Sequence, residues 1–182
     1  NESLDWTLTV SKTVDGNMSD AAKDFQFTLT VMESDGSPLD EVTYQEIAGS
    51  MSVTPQDEGE SSEQEYRFNE SGSVTFYLHG GQEMQVTLPH GVQYTVSENA
   101  ESYTPTVQVT GDNDANQNGV IVSGEIEADI EVAYTNTLVV STPTGLDNNN
   151  TPYTLMLTLS AFAGLVLVGG LLAQRRRVRR ER

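Results

Sequence analysis

Strict alternation of apolar and polar residues in seven short segments is the feature that most limits the fold of this chain. The segments are 6–12, 25–31, 74–78, 84–88, 94–98, 106–110 and 130–136. Because successive side chains of a β-strand point to opposite faces, such alternation is typical of strands buried on one face. Glycine, proline, asparagine and aspartate separate the segments, as turns require. The pattern predicts an all-β fold, an antiparallel β-sandwich of Ig-like or transthyretin-like topology.

The segment 35–73 lacks such alternation and carries no motif of its own. Within it, residues 59–63 combine glycine, serine and glutamate, and this composition predicts a solvated loop. The alternating segments supply enough inward-facing apolar side chains to form one core between packed sheets. The sequence therefore predicts a single β-domain over residues 1–140.

The net charge of the chain limits the classes of molecule that it is expected to bind. The sequence has 27 Asp and Glu residues against 9 Lys and Arg, a formal net charge of −18. Such an excess of acids repels phosphates, so the sequence predicts no nucleic-acid binding. Cysteine is absent, which excludes disulfides, thiolate catalysis and cysteine-bound zinc. We predict neither a cofactor nor a metal among the functional residues.

Residues 155–173 form an apolar run of 19 residues in which Thr158 and Ser160 are the polar members. A helix of this length spans about 28 Å, close to the hydrocarbon thickness of a bilayer. Six of the nine cations follow within 174–182, and an arginine cluster of this kind stays on the cytoplasmic side. The pattern predicts one C-terminal transmembrane helix with a basic cytoplasmic tail, and an acidic domain outside the cell.

Just before this run, Pro143, Thr144 and Gly145 lie in the segment 141–145, and a polar spacer, 146–154, follows them. This order of a Pro-Thr-Gly element, an apolar span and a basic tail resembles the cell-wall sorting signals of Gram-positive bacteria. The resemblance implies that a sortase cleaves between Thr144 and Gly145. It then joins the Thr144 carbonyl to an amine of peptidoglycan or of a neighbouring pilin subunit, which leaves the protein anchored at the cell surface. A single-pass membrane anchor without cleavage is the simpler alternative.

The first five residues contain neither an initiator Met nor the basic start of a signal peptide. A sorting signal nevertheless requires export from the cell. We therefore expect the sequence to be the C-terminal portion of a longer surface protein, with residues 1–140 as a domain near the membrane.

Three polar residues extend inward-facing apolar sets. Lys12, Glu98 and Asn136 each lie two residues beyond an apolar side chain of an alternating segment. Because side chains two apart in a strand point the same way, all three are predicted to face the core. For any one of them alone, a polar residue at a strand end, where the core opens to solvent, is the simpler explanation. The three residue types together point to a specific chemistry.

A lysine, an acid and a last-strand asparagine in this arrangement resemble the intramolecular isopeptide domains of Gram-positive pilins and adhesins, including the C-terminal domains of streptococcal major pilins. The resemblance extends over most of residues 4–140 and lies mainly in the segments 8–16, 88–98 and 132–137. It implies an isopeptide-stabilised sandwich in which Lys12 and Asn136 form an amide bond and Glu98 is the catalytic acid.

This chemistry depends on burial. A lysine is nucleophilic only when neutral, and desolvation lowers its pKa while raising the pKa of a nearby carboxyl. A protonated Glu98 is then able to polarise the Asn136 carboxamide and to shuttle protons while ammonia leaves. The aromatic residues Trp6, Phe27, Phe76 and Tyr134 are candidates for the walls of this pocket. Because the domain modifies only itself, we expect no enzyme activity.

The remaining candidate sites carry weaker patterns. The loop 112–119 has oxygen-bearing side chains at alternate positions, like a calcium loop, but Gly119 is at the eighth position and Ser123 at the twelfth. A plain hairpin tip rich in turn residues explains the same composition and is favoured. His79 and His90 both neighbour turn glycines, and the sequence pattern indicates neither a catalytic triad nor a zinc site around them, so we expect surface residues.

Two functions are favoured by these patterns, ahead of a third, a secreted enzyme that this domain would anchor. The first is a sortase-processed pilin or stalk subunit, which is favoured because only residues 137–140 separate Asn136 from the sorting motif. The second is a wall-anchored adhesin whose ligand-binding region lies upstream. For polymerisation, Lys23 is a possible acceptor, because an amide at Lys12 leaves it as the one free lysine of the sequence. An amine upstream of Asn1 is the alternative.

Overall fold

A computed structural model describes residues 4–55 and 65–140 of the chain. Within these residues, ten strands form two five-stranded sheets, and one helix accompanies them. The elements are β1 (Leu4–Asp15), β2 (Phe25–Met32), α1 (Glu41–Ser50), β3 (Ser52–Thr54), β4 (Ser73–Leu78), β5 (Glu83–Pro89), β6 (Gln93–Asn99), β7 (Thr104–Thr110), β8 (Asn116–Asn118), β9 (Ile121–Glu125) and β10 (Ile130–Thr137). Each of the seven alternating segments lies within one of these strands, and the inward faces of the two sheets enclose the core.

The strand order is β3-β5-β1-β10-β7 in the first sheet and β4-β2-β6-β9-β8 in the second. The strands pair antiparallel in both sheets except for β1 and β10, which are parallel neighbours. The expectation of a wholly antiparallel sandwich is therefore wrong at this pair. Alternation identifies which residues face the core, but it carries no information about the direction of a neighbouring strand.

The fold also contains a helix that an all-β prediction omits. Asp40 caps the N-terminus of α1, because its carboxylate accepts hydrogen bonds at 3.0 Å from the backbone N–H groups of Val42 and Thr43. The helix buries Thr43 and Ile47, which are four residues apart and so share one face. The short strands β3, β8 and β9 were likewise not predicted. The predicted solvated loop at 59–63 lies outside the described residues.

Parallel pairing of β1 and β10 separates the two ends of the domain. Both strands run in one direction, so the chain begins β1 at one end of the sheet and leaves β10 at the other. Residues 138–140 continue past β10 and are held by the turn after β1. The Leu138 N–H donates to the Asp15 carbonyl at 3.0 Å. The Asn17 amide exchanges two hydrogen bonds, of 3.1 and 3.2 Å, with the backbone of Val140. We call these contacts the C-terminal clamp.

Several predicted segments fall outside the described residues. They are the spacer 146–154, the apolar run 155–173 and the basic tail 174–182. Among the residues that the structure does describe, no helix is both long and apolar enough to cross a membrane.

Gly16→Ala is expected to lower the free energy of unfolding more than Gly36→Ala does. Both glycines have positive φ angles, 110° and 80°, and such backbone costs an L-residue about 1–2 kcal/mol. At position 16 a Cβ would also overlap the Leu138 carbonyl oxygen, whereas at position 36 nothing lies within 4 Å. Urea unfolding of both variants measures the difference. Equal losses would contradict a tight C-terminal clamp.

Candidate functional site

The structure brings the three predicted polar residues together in the core. Lys12 is 1% exposed, Glu98 5% and Asn136 0%. Lys12 lies on β1 and Asn136 on β10 of one sheet, while Glu98 lies on β6 of the opposite sheet. The site therefore spans the space between the two sheets, near the end where the chain leaves β10.

Strand register determines which side chains meet. In the parallel ladder Lys12 lies opposite Tyr134, so Asn136 is the next residue of β10 that faces the core on the same side. In the second sheet Glu98 lies opposite Phe27 on β2. Both partners of the proposed amide thus occupy adjacent strands, and the acid approaches them from across the core.

One carboxyl oxygen connects all three residues. Lys12 Nζ lies 2.5 Å from Glu98 Oε1, and Asn136 Nδ2 donates a hydrogen bond of 2.8 Å to the same Oε1. The other two oxygens of the site, Glu98 Oε2 and Asn136 Oδ1, are buried and receive no hydrogen bond from any described residue. Buried acceptors of this kind are uncommon and each costs about 1–3 kcal/mol.

Burial moves the two ionisable groups in opposite directions. Desolvation lowers the pKa of Lys12, although its hydrogen bond and attraction to Glu98 partly oppose this. Desolvation also raises the pKa of Glu98, against the same contacts with Lys12. Both shifts favour a neutral amine beside a protonated carboxyl. A proton on Glu98 would also provide a donor for the site, which the two buried oxygens need.

Aromatic rings close the site against water. Lys12 Nζ lies 4.3 Å from the centre of the Phe25 ring and 5.9 Å from that of Phe27. Phe27 stacks on Phe76 with 5.3 Å between ring centres, and it meets the Tyr134 ring edge-on at 5.2 Å. Of the four predicted wall residues, Phe27 thus faces the amine, and Phe76 and Tyr134 pack against Phe27.

Trp6 is the exception among the predicted walls, and Phe25 was missed. Trp6 is only partly buried, and it precedes Lys12 on β1 by six residues, or about 20 Å. Phe25 contacts the amine in its place. The signal for Phe25 was present in the sequence, because it shares the inward face of β2 with Phe27. Which inward-facing ring of a strand meets the amine depends on how the sheets are aligned.

The structure also places the other sequence-predicted residues, and Lys23 Nζ lies 5.8 Å from the centre of the Phe25 ring that Lys12 contacts. Lys23 Nζ pairs with Glu101 at 2.9 Å, its side chain is 33% exposed, and the hydrogen bond with Glu101 raises its pKa. His90 is exposed, whereas His79 is partly buried and its Nδ1 lies 3.1 Å from the Gly80 carbonyl oxygen. The sorting residues Pro143, Thr144 and Gly145 lie outside the described residues.

The loop 112–119 ends in the short hairpin of β8 and β9. The Asp112 carboxylate accepts a hydrogen bond of 3.1 Å from the Tyr94 hydroxyl, and it also accepts one of 3.0 Å from the Asp114 N–H. Across residues 4–55 and 65–140, no group of three His, Asp or Glu side chains is arranged to hold a metal ion.

Comparison with known proteins identifies the relatives of this chain. The family described as "Domain of unknown function (DUF7601)" matches residues 6–138. A pilin of Streptococcus pyogenes serotype M1 is 32% identical over 174 residues, which are 91% of this chain and 47% of the pilin. The pilus tip adhesin Cpa of Streptococcus pyogenes is 31% identical over 140 residues, which are 76% of this chain and 18% of the adhesin. The chain therefore spans half or less of these relatives.

Solved structures of a major pilin and of the adhesin Cpa share the fold. The crystal structure of the major pilin from Streptococcus pyogenes aligns with a TM-score of 0.52 and 30% identity, over 74% of this chain and 48% of the pilin. The pilus-presented adhesin Cpa aligns with a TM-score of 0.55 over 76% of this chain and 28% of the adhesin. At 23% identity, the adhesin alignment supports the fold alone.

Lys12→Met is expected to make the free energy of unfolding fall as pH rises above about 4.5, the ordinary pKa of a glutamate. Without the amine, the hydrogen bond from Asn136 is the one remaining contact that opposes the desolvation that raises the pKa of Glu98. The unfolded chain then loses this proton at the ordinary value while the folded chain keeps it. Its contribution to stability is therefore complete below pH 4.5 and is lost as pH approaches the raised pKa.

The matched control is the double variant Lys12→Met, Glu98→Gln, which has the same shape and no titrating group at position 98. Urea unfolding at a series of pH values measures both variants. The difference between their free energies isolates Glu98 from the other acids of the chain. Parallel curves would show that the folded state does not raise the pKa of Glu98.

Proposed function

The chain belongs to the DUF7601 domain family, and from this membership, its pilin relatives and its buried site we propose that it is a structural subunit of a Gram-positive surface pilus or stalk that cross-links itself. One observation carries the proposal: Glu98 Oε1 lies within hydrogen-bond distance of both Lys12 Nζ and Asn136 Nδ2. These are the two nitrogens that change places when the Asn136 carboxamide is converted into an amide of Lys12.

The reaction begins with a neutral Lys12 and a protonated Glu98, the forms that desolvation favours. The proton of Glu98 polarises the Asn136 carbonyl, and Lys12 Nζ forms a bond to Asn136 Cγ. Glu98 Oε1 accepts a proton from Nζ and a proton is returned to Nδ2. The Cγ–Nδ2 bond breaks, ammonia leaves and Glu98 is again protonated. Each domain reacts once and only with itself, so the protein is not an enzyme.

The amide also relieves the unfavourable burial of polar groups in the unreacted site. Once it forms, the amine no longer titrates in the core, and Glu98 keeps a proton with which to donate to the new carbonyl. The bond closes a loop between positions 12 and 136, a sequence separation of 124. By the loop-entropy argument used for disulfides, such a loop is worth about 4–5 kcal/mol.

Cell-wall attachment is the second part of the proposal. A sortase would cleave between Thr144 and Gly145 and join Thr144 to peptidoglycan or to a neighbouring subunit. The C-terminal clamp supports cleavage at this point of the chain, because it holds the backbone at Val140 and the motif 141–145 begins at the next residue. Before cleavage, the segment 155–173 would hold the protein in the membrane.

Lys23 remains one candidate for the acceptor amine. Its ion pair with Glu101 and its raised pKa oppose nucleophilic attack until the pair is broken. Lys23 also lies in the connection between β1 and β2, at the end of the domain where Val140 lies. The Ala21 carbonyl in this connection accepts a hydrogen bond from the Gly80 N–H, beside the C-terminal clamp. A link from Thr144 to Lys23 would therefore join the same end of two neighbouring domains. An amine upstream of Asn1 suits a head-to-tail fibre better.

A wall-anchored adhesin is the second candidate function. The tip adhesin Cpa matches this chain over 140 residues at 31% identity, nearly the identity of the pilin match. In this alternative the present domain is the stalk, and an upstream region binds the ligand. Sequence upstream of Asn1 distinguishes the two: a second isopeptide domain favours a pilus shaft, and domains of other kinds favour an adhesin.

The full chain is expected to weigh one ammonia less than its sequence predicts after it folds. Glu98→Ala, Lys12→Ala and Asn136→Ala should each restore the full calculated mass, because each removes one part of the reaction. Denaturing intact-mass spectrometry of detergent-extracted protein measures this. Lys23→Ala is the matched control and should retain the loss. A folded wild-type chain with the full mass would reject the cross-link.

In a cell that carries the matching sortase, Thr144 is expected to become the new C-terminus, and Gly145→Ala should leave the protein in the membrane fraction. C-terminal peptide sequencing of wall extracts and fractionation of the variant measure these outcomes. A Glu98→Ala chain is the control, because it lacks the cross-link but keeps the motif. Wild-type protein that still carries residues 145–182 as its main species would oppose sorting.

A further inference from the structure

Tyr134 connects the two sheets beside the proposed reaction site. Its side chain is 1% exposed, and its hydroxyl lies 3.2 Å from the Val96 carbonyl oxygen and 3.0 Å from that of Val120. Tyr134 belongs to β10 in one sheet, whereas Val96 belongs to β6 in the other. The hydroxyl is therefore a donor that reaches across the core between sheets.

The same hydroxyl is connected to the backbone of the catalytic acid. The Val120 carbonyl accepts a hydrogen bond from the Tyr134 hydroxyl, and it also accepts one of 3.3 Å from the backbone N–H of Glu98. One carbonyl oxygen thus binds the backbone of Glu98 and the side chain of Tyr134. Movement of Tyr134 along its strand direction would alter a hydrogen bond shared with the acid.

Residue spacing places the hydrogen bond from Tyr134 to Val96 next to the one from Asn136 to Glu98. Tyr134 precedes Asn136 by two residues on β10, and Val96 precedes Glu98 by two residues on β6. The bond from Tyr134 to Val96 and the bond from Asn136 to Glu98 therefore bridge the same two strands at adjacent inward positions. A fixed separation at the first pair sets the separation at the second.

We propose that Tyr134 is a positioning residue for the self-cross-linking reaction, and that its hydroxyl holds Glu98 in register with Asn136. Lys12 lies opposite Tyr134 in the parallel ladder, so all three reacting groups are placed with respect to one side chain. Burial raises the pKa of Tyr134, which keeps the hydroxyl protonated and available as a donor. The inference rests on the proposed function, because it concerns the rate of that reaction.

The test measures folding and reaction separately in the full chain. Unreacted chain purified in urea is diluted into detergent-containing buffer, and samples are quenched in acid at intervals for intact mass. Fluorescence of Trp6, the single tryptophan, follows folding in parallel. Tyr134→Phe should fold to the same fluorescence end point but lose ammonia about tenfold to a hundredfold more slowly, as expected for a small misplacement of reacting groups.

Tyr94→Phe is the matched control. Tyr94 is also a buried tyrosine whose pKa is raised, but its hydroxyl bonds Asp112, and it precedes Glu98 on β6 by four residues, about 13 Å. This variant should react at the wild-type rate. Equal slowing in both variants, or a wild-type rate in Tyr134→Phe, would overturn the role of Tyr134.

A second pair of variants applies if Tyr134→Phe does not fold. 4-Aminophenylalanine at position 134 keeps a donor, whereas 4-methylphenylalanine fills the same volume without one. The amino variant should react faster than the methyl variant, and equal rates would overturn the proposal. A wild-type chain that reaches its fluorescence end point without losing ammonia would instead reject the proposed function itself.

Discussion

Burial of an amine against a carboxyl, with a carboxamide beside both, is the interaction on which the rest of this structure depends. Lys12 and Asn136 approach from one sheet and Glu98 from the other, so their hydrogen bonds join the sheets inside the core. The chain has no cysteine with which to join them covalently. The aromatic rings around the amine exclude water, and this exclusion moves the pKa values of the pair in opposite directions.

Stability alone is a poor explanation for such a site. Buried ion pairs are often no better than apolar residues of similar volume, because desolvation offsets their attraction. Here two acceptor oxygens also receive no hydrogen bond from the described residues. An arrangement with these costs is better explained by chemistry, since a low dielectric produces the neutral amine and protonated acid that amide exchange requires. In the proposed function, the site is a reactant and the cross-linked domain is its product.

Much of this arrangement followed from the sequence. Period-two alternation identified seven strands, and residue parity placed Lys12, Glu98 and Asn136 toward the core. Parity does not determine strand neighbours, so the parallel pairing of β1 with β10 required the structure. Helix α1 was missed because its buried face is short and consists of Thr43 and Ile47. The Tyr134 contact was out of reach for another reason: its acceptors are backbone carbonyls, which no residue pattern reveals.

The parallel pairing of β1 and β10 also has a mechanical consequence. If the domain is pulled from its two ends, these neighbouring strands are drawn in opposite directions along their length. The ladder between Leu8–Ile130 and Asp15–Thr137 is then loaded in shear, so its hydrogen bonds resist together instead of opening one at a time. An amide between Lys12 and Asn136 would cross this same pair of strands. The force would then pass through a covalent bond, and the strands between those residues would carry none of it.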